Sequence, residues 1–451
     1  MSDYLVPSRF TRNMRMNGKG RMLYNTFSGA IAAVLPEEDA EVCSLLQNGK
    51  NPVELSEVAI ELRDAGFLVS AATDELLQAQ QLHDALKETK SMHLVIMPTE
   101  ACNFRCTYCY QTFPRGTMAR QTIEGLKAYI RQAALWIDHL SVSWFGGEPL
   151  LAPETIVELS DSFMESCAWN GISYSADMST NGYYLTKERF IELLARNVHR
   201  YMVTLDGARE VHDQRRKLST GGKTYETIIG NLKELRSIDA FFAIDIRINF
   251  DKDNAGDVPE LLRMLSESFK GDGRFQILIR PVGRWGGPQD DLIPNCDRTA
   301  ADTYLWELTE YGLEQGLTLS ETIADTLMPS GSVCYAAKPN SLVIGSDGQL
   351  YKCSVALDDE MNQVGRLHKD GRMELDTDKI SLWTHSGEEQ DVVCRSCFFR
   401  PACQGNHCPL YRMRTGRRPC PHEKRKMKQV LNLLWKNADR SKGGETEDEA
   451  H

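Results

Sequence analysis

Apolar and polar positions change rhythm twice along the chain. Between residues 91 and 282, short apolar runs alternate with stretches of helical spacing. The runs are MHLVIMP (92–98), LSVSWF (140–145), ISYSADMS (172–179), YMVTLD (201–206), AIDIRINF (243–250) and FQILIRPV (275–282). Their length and their β-branched and aromatic content predict strands. RQTIEGLKAYIRQAALW and PETIVELSDSFMESCAW, with apolar residues three and four apart, predict helices between them. Such alternation implies a parallel sheet with crossover helices. The expected fold is α/β, a partial (β/α)6 TIM-like barrel, with its chemistry at the C-terminal ends of the strands.

Residues 1–90 read differently. RMLYNTFSGAIAAVL (21–35) predicts two short strands about Ser28 and Gly29. PEEDAEVCSLLQNG predicts a helix that starts at Pro36 and its acidic neighbours and ends at Gly49. LSEVAIELRDAGFLVS predicts a helix stopped by Gly66 and then a strand, and DELLQAQQLHDALKETK a further helix. This is a winged-helix-like order, in which an open sheet edge can accept a peptide as an added strand. Beyond about residue 320 the alternation stops. SLVIGSDGQLYKC (341–353) predicts a hairpin turning at Asp347-Gly348. CRSCFFRPACQGNHC has too few apolar positions for its own core, so bound metal is expected to organise it. HEKRKMKQVLNLLWKNADR predicts a basic helix, and SKGGETEDEAH a disordered end. The expected divisions are 1–90, 91–315, 316–430, and a helix end with tail over 431–451.

Composition narrows the function. A chain of 451 residues with 41% hydrophobic and 25% charged residues affords a sizeable core in two or three domains. A net charge of -11 disfavours nucleic-acid binding, which draws its affinity from neutralising phosphates. No apolar run reaches membrane-spanning length, and MSDYLVPSRFTRNMRMNGKG lacks the apolar core of a signal peptide, so a cytoplasmic location is expected. Thiols stay reduced there. Ten of the thirteen cysteines fall in two clusters, three near residue 105 and seven between Cys334 and Cys420. Clustering in a reducing compartment points to metal or iron–sulfur ligands. Cys43, Cys167 and Cys296 stand apart and read as small buried apolar side chains.

TEACNFRCTYCYQ (99–111) places Cys102, Cys106 and Cys109 just after the first strand, at the expected catalytic rim. A structural zinc site would want a fourth Cys or His close by, and YQTFPRGTMARQ supplies none. Three thiolates on a four-iron cluster leave one iron open to a small molecule. This Cys-x3-Cys-x2-Cys, with the aromatic Tyr108 before its last cysteine, resembles the radical SAM enzymes. The resemblance implies that S-adenosylmethionine chelates the open iron and that its reductive cleavage yields a 5′-deoxyadenosyl radical. FGGEP (145–149) resembles the family's GGEP motif, in which the backbone of Gly146 and Gly147 and the Glu148 carboxylate hold the methionine ammonium. STNG (179–182) ends the third strand, where Ser179 and Asn181 are expected to face ribose or carboxylate. TLDGAREVHDQRR (204–216) resembles the family's LDG…HDxxR segment. It implies Asp206 near substrate as a catalytic residue and Arg216 as a partner of the cofactor carboxylate. Asn249 and RPVGRWGG (280–287) match the ends of the fifth and sixth strands.

The later cysteines resemble the seven-cysteine SPASM extension, which holds two auxiliary 4Fe-4S clusters, giving three clusters in all. Cys394, Cys397, Cys403 and Cys420 are expected on the outer cluster, and Cys334, Cys353 and Cys408 on the inner one. Zinc is the rival occupant. Relatives with a full inner set have a cysteine shortly before the position of Cys334; here IADTLMPSGSV (323–333) has none. The spacing before Cys408 is four residues, where three is usual. The resemblance implies a maturase of ribosomal peptides, with a precursor peptide whose leader binds residues 1–90 and an electron donor such as flavodoxin or ferredoxin. Four activities remain open: thioether formation from a peptide cysteine through an open inner iron, carbon–carbon or carbon–oxygen crosslinking, formylglycine-type oxidation, and non-catalytic peptide binding. Formylglycine-forming relatives carry Asp after the cysteine equivalent to Cys353, where this chain has Ser354.

Overall fold

The computed structural model describes residues 4–16, 20–47, 56–285 and 290–445. The chain forms two compact units that do not follow its linear order. One comprises Met1–Glu88, Glu321–Pro339 and Leu382–Asp439; the other is built on Thr89–Ser320 and Asn340–Ser381.

The first unit contains strands β1 (Leu5–Pro7), β2 (Thr11–Met16), β3 (Gly20–Asn25), β4 (Ile31–Val34) and β5 (Leu68–Ser70). β2, β3 and β4 form an antiparallel sheet in that order, and β1 pairs with β5. The turn expected at Ser28-Gly29 joins β3 to β4, with Gly29 at φ +76°. β1 and β2 are additional to the predicted strands. TRNMRM buries only Met16, too little apolar signal to be read as a strand. The first helix, Asp39–Gln47, starts three residues after Pro36, because Glu38 N bonds Leu35 O in a turn. Its expected end at Gly49 lies outside the described residues. Ser56 caps Glu57–Asp64 by accepting from Ala59 N, Gly66 at φ +82° follows that helix, and Asp74 caps Glu75–Ala85. Leu5, Leu23, Val34, Val42, Leu62 and Phe67 form the local core.

Cysteine-rich segments share this unit. The Tyr24 hydroxyl donates to Leu327 O, the Arg12 guanidinium sits 3.7 Å over the Phe398 ring, and Arg400 Nη2 donates to Gln80 Oε1 at 3.0 Å. The C-terminal helix runs from Met427 to Glu445, so Ser441–Glu445 are helical where a tail was expected. Elongation from the turn anchored by the buried Val430, Leu431 and Leu433 costs little per residue. The rest of the expected tail is outside the described residues.

The second unit holds β6 (Ser91–Ile96), β7 (Phe104–Cys106), β8 (His139–Trp144), β9 (Ser173–Thr180), β10 (Val198–Thr204), β11 (Arg216–Leu218), β12 (Ala243–Phe250), β13 (Phe275–Pro281) and β14 (Thr318–Leu319). It continues with β15 (Ser341–Ile344), β16 (Gln349–Tyr351), β17 (Gln363–Leu367) and β18 (Met373–Leu375). The six predicted strands are β6, β8, β9, β10, β12 and β13, which run parallel in a partial barrel. Their helices cover one face. Arg120–Ala133 buries Ile123, Leu126 and Ile130, and Pro153–Asn170 buries Ile156, Leu159 and Phe163. The other face is polar: His93 Nε2 meets Ser143 Oγ at 2.9 Å, and Ser143 donates to Asp177 Oδ2 at 2.7 Å.

The full sheet has eleven strands, in the order β14-β13-β12-β10-β9-β8-β6-β15-β16-β17-β18. The hairpin expected at Asp347-Gly348 is present, with Gly348 at φ +86°. Its first strand lies parallel to β6, Ser341 opposite His93. Leu342, Val343 and Ile344 are all buried, so the hairpin covers the edge that the first barrel strand would otherwise expose. Among the described residues no helix is long and apolar enough to cross a membrane.

Candidate functional site

The loop after β6 carries Cys102, Cys106 and Cys109, and four ties fix it to the barrel rim. β7 within the loop pairs with β11, placing Cys106 opposite Arg216 and Phe104 opposite Leu218. Gln111 Nε2 donates to Gly146 O at 3.0 Å. Glu100 Oε1 accepts from Arg115 Nε at 2.9 Å and from Ser346 N and Oγ at 3.0 and 2.8 Å. Asn103 Oδ1 accepts from Asn181 Nδ2 at 2.8 Å. All three cysteines are free thiols.

The glycines of FGGEP act on this loop. A Cβ on Gly146 would lie 2.2 Å from Thr99 O, and one on Gly147 would lie 2.3 Å from Ala101 O. Gly146 also holds φ +129°. Backbone carbonyls of the cysteine loop thus approach both glycines closely. Gly147→Ala must displace a carbonyl, not a flexible side chain. It is expected to cost about 1–3 kcal/mol of stability and to slow iron uptake, read from thermal unfolding and reconstituted iron content.

Glu148 is fully buried. Its Oε1 accepts from Leu150 N at 3.0 Å and Thr180 Oγ1 at 2.7 Å, and its Oε2 from Asn181 N at 2.7 Å. Burial pushes its carboxyl up, while those donors and the Arg216 charge pull it down. A second lone pair on Oε2 remains for a cationic donor. Asn181 is committed: its side chain bonds Asn103 and Tyr183 N. Ser179 is half-buried on the more open face of β9, which it shares with Asp177.

Tyr108, read in the sequence only as the aromatic residue before Cys109, is the hub of the site. Its hydroxyl donates to Asp206 Oδ2 and accepts from Arg216 Nη1 at 2.7 Å and Asn249 Nδ2 at 3.2 Å. Asp206 Oδ1 accepts from Asn249 N at 3.2 Å, and Arg215 Nε lies 4.0 Å from Oδ2. The Asp206 carboxylate, expected near substrate, is fully buried and committed to these partners. Arg216 is buried beside Phe104 and Tyr108, and its Nε lacks a partner.

These residues fit an iron–sulfur cluster with a bound zwitterion. Burial pushes the Cys102 thiol up to about 12 and the Cys106 thiol up to about 11, and it also raises Cys109. Thiols so buried ionise against a metal charge. Among the described residues, His83, Glu388 and Glu389 are the three His, Cys or carboxylate groups whose ligand atoms converge within 4.8 Å. There the Lys87 ammonium already sits on Glu389. The orphaned Arg216 Nε suits an anionic group.

The outer cysteine set is also gathered. Cys394, Cys397, Cys403 and Cys420 line one pocket together with Arg400, Arg418 and Lys424. Lys424 Nζ lies 3.7 Å from Cys420 Sγ, and Arg412 Nη2 lies 3.5 Å from Cys394 Sγ. Such donors suit sulfurs carrying negative charge. Cys397→Ala is expected to remove about four irons per chain and to lower the unfolding temperature, checked by iron assay and calorimetry. Cys353 lies in the barrel unit, where Asn362 Oδ1 accepts from its N–H at 2.8 Å. Cys334 and Cys408 lie in the other unit, with Cys334 N donating to Asn406 O at 2.9 Å.

Residues 96–265 match the profile of the Radical SAM superfamily. The cysteine-type anaerobic sulfatase-maturating enzyme of Clostridium novyi (strain NT) is 22% identical over 339 residues, 70% of this chain and 87% of that one. The serine-type anaerobic sulfatase-maturating enzyme of Klebsiella pneumoniae is 22% identical over 336 residues, 71% of this chain and 82% of that one. Among solved structures, native anSMEcpe with bound AdoMet and Cp18Cys peptide is similar in fold. Its TM-score is 0.57 at 18% identity, covering 76% of this chain and 97% of that one.

Proposed function

We propose that this chain, a radical SAM enzyme by its residues 96–265, is a peptide maturase that forms a thioether from a cysteine of its precursor peptide. The observation that carries the radical SAM chemistry is the thiol loop of Cys102, Cys106 and Cys109 anchored beside the buried Glu148. When bound there, a 4Fe-4S cluster and S-adenosylmethionine supply a 5′-deoxyadenosyl radical that removes a substrate hydrogen. Cys102, Cys106 and Cys109 would hold the cluster, the Glu148 carboxylate would receive the cofactor's ammonium, and Arg216 would pair with its carboxylate. Ser179 offers a hydroxyl to the cofactor's sugar. Asn181, Tyr108 and Asp206 hold the loop, and Gly146 and Gly147 set its distance from β8. Two further clusters are assigned to the later cysteines.

The peptide reading draws on the antiparallel sheet β2-β3-β4, whose outer strands offer edges to an extended leader. The thioether reading draws on residues 323–333, which contain no cysteine before Cys334. A second reading, oxidation of a Cys or Ser to formylglycine, draws on the sulfatase-maturating relatives. It is disfavoured by Ser354, where such enzymes carry an acidic residue. The test is mass spectrometry of a cysteine-containing precursor after anaerobic co-expression. A two-hydrogen loss with one cysteine blocked to alkylation supports the thioether. The same loss with all cysteines alkylatable points to a carbon-centred crosslink, and loss of the cysteine's sulfur points to formylglycine.

A further inference from the structure

Side chains along β12 alternate between two faces. Ile244, Ile246, Ile248 and Phe250 take one face and are all buried, while Asp245, Arg247 and Asn249 take the other, on the polar side of the sheet. Other arginines of this unit are matched by carboxylates: Arg200 Nε lies 3.4 Å from Asp245 Oδ2, and Arg215 Nη2 lies 2.8 Å from Asp251 Oδ2. Arg247 is held by neutral groups alone. Its Nε donates to Asn249 Oδ1 at 2.8 Å and its Nη1 faces Met202 Sδ at 3.6 Å, and among the described residues no carboxylate forms an ion pair with it. Its Nη2 has no partner there, and the side chain is only partly buried, so that edge of the guanidinium is reachable. Burial and then the charge of Arg280 work against the Arg247 cation. Asp206, whose charge also reaches it, is committed to Tyr108 and to Asn249 N. Two ties place Arg247 at the site. Asn249, which accepts from it, donates to the Tyr108 hydroxyl at 3.2 Å. Met202, which its Nη1 faces, is the register partner of Ser179.

We propose that Arg247 receives the carboxylate of an acidic side chain, Asp or Glu, of the peptide substrate, and so selects which stretch of the peptide enters the barrel. The inference rests on the reading of the chain as a peptide-modifying enzyme. Arg247 is a specificity residue in this account: it binds and orients, and takes part in no bond change. A guanidinium offers parallel N–H groups that match the two oxygens of a carboxylate. An anion arriving there supplies the counter-charge that a partly buried cation lacks, whereas a neutral side chain leaves the cation uncompensated. The cofactor's single carboxylate is a poorer occupant, because Arg216, with its own orphaned Nε beside Phe104, stands ready for it.

The test measures binding without turnover, on the reconstituted full chain with S-adenosylmethionine and no reductant. The probes are three short dye-labelled synthetic peptides, each with one cysteine. The first carries an internal Glu and an amidated end, the second has Gln in place of that Glu, and the third has the Gln and a free C-terminal carboxylate. Fluorescence anisotropy is expected to show the Glu peptide binding about tenfold or more tighter than the Gln peptide, the worth of a hydrogen bond to a charged group. Arg247→Gln is expected to bind the Gln peptide as the parent does, which shows that it is folded, and to lose the preference for Glu. Arg247→Lys keeps the cation without the fork, and is expected to shrink the preference about threefold or more. Equal binding of the Glu and Gln peptides by the parent, or binding of neither at millimolar concentration, overturns the proposal. So does an unchanged preference in either variant, or a preference that follows the free C-terminus instead of Glu. A weaker grip of Arg247→Gln on S-adenosylmethionine, measured without peptide, would assign the guanidinium to the cofactor and overturn it too. Failure here leaves the thioether test by mass spectrometry standing, whereas failure of the thioether reading leaves the charge preference to be seen in binding.

Discussion

Cys106→Ala is expected to abolish reductive cleavage of S-adenosylmethionine and to lower bound iron from about twelve to about eight per chain. Cys106 sits within β7, whose pairing with β11 is made by backbone groups, so the loop keeps its course without the thiol. Two sulfurs remain, too few to hold a cluster that already leaves one iron for the cofactor. No substitute is at hand: Cys167 is buried on the helix Pro153–Asn170, and Cys296 lies on the segment before Arg298–Glu314. The variant should unfold close to the parent temperature when both are stripped of iron. Chromatography of 5′-deoxyadenosine and an iron assay check both halves of the expectation. Cleavage above about 1% of the parent rate, roughly 2.7 kcal/mol on the barrier, would show that the loop is not the cofactor's seat.

Asp206→Ala is the second large effect, and it separates positioning from catalysis. The carboxylate is fully buried and receives the Tyr108 hydroxyl and Asn249 N–H, with Arg215 Nε 4.0 Å away. Removing it leaves buried guanidinium charge from Arg215 and Arg216 less compensated and Tyr108 without its acceptor. Truncation of one member of such a buried charged network costs about 3–5 kcal/mol. For a unit of this size that lowers the unfolding temperature by about 6–15 °C. Asp206→Asn keeps an acceptor for Asn249 N and should recover more than half of the loss, with cofactor cleavage returning in step. A catalytic base behaves otherwise: Asn would be as inactive as Ala while unfolding at the parent temperature. Calorimetry and 5′-deoxyadenosine yield on the two variants decide it.

The barrel was legible because its alternation is local. Each strand of 243–250 type is a short apolar run, and each covering helix repeats within a few residues. The added sheet strands were not, because what recruits β15 is the open edge of β6, about 250 residues upstream. β2 escaped notice for the opposite reason: TRNMRM has strand geometry without strand composition. The two compact units likewise depend on pairings such as Arg12 with Phe398 and Gln80 with Arg400, which no periodicity records.

The site divides along the same line. The thiols of the cysteine loop could be singled out from spacing, since a loop of eight residues fixes which of them can meet. The gathering of Cys394, Cys397, Cys403 and Cys420 around one pocket agrees with that reading. Residues acting across the rim were named with less complete roles. Gly146 and Gly147 were assigned to the cofactor, and they also admit the backbone of the cysteine loop, which the sequence did not indicate. Asp206 was placed near substrate, yet its partner Tyr108 stands 98 residues away in sequence, inside the cysteine motif. Glu100 and Arg115, which clamp the loop to the β15–β16 hairpin, gave no signal at all, because a lone Glu and Arg outside any motif read as solvated charges.

The central claim is that Cys102, Cys106 and Cys109 seat a cluster that cleaves S-adenosylmethionine reductively. The most direct measurement is anaerobic reconstitution of the unaltered chain, verification of its iron, and incubation with S-adenosylmethionine and dithionite. The account predicts 5′-deoxyadenosine formed in step with methionine. Full cluster occupancy without 5′-deoxyadenosine would contradict it and leave the chain a binding protein for peptides.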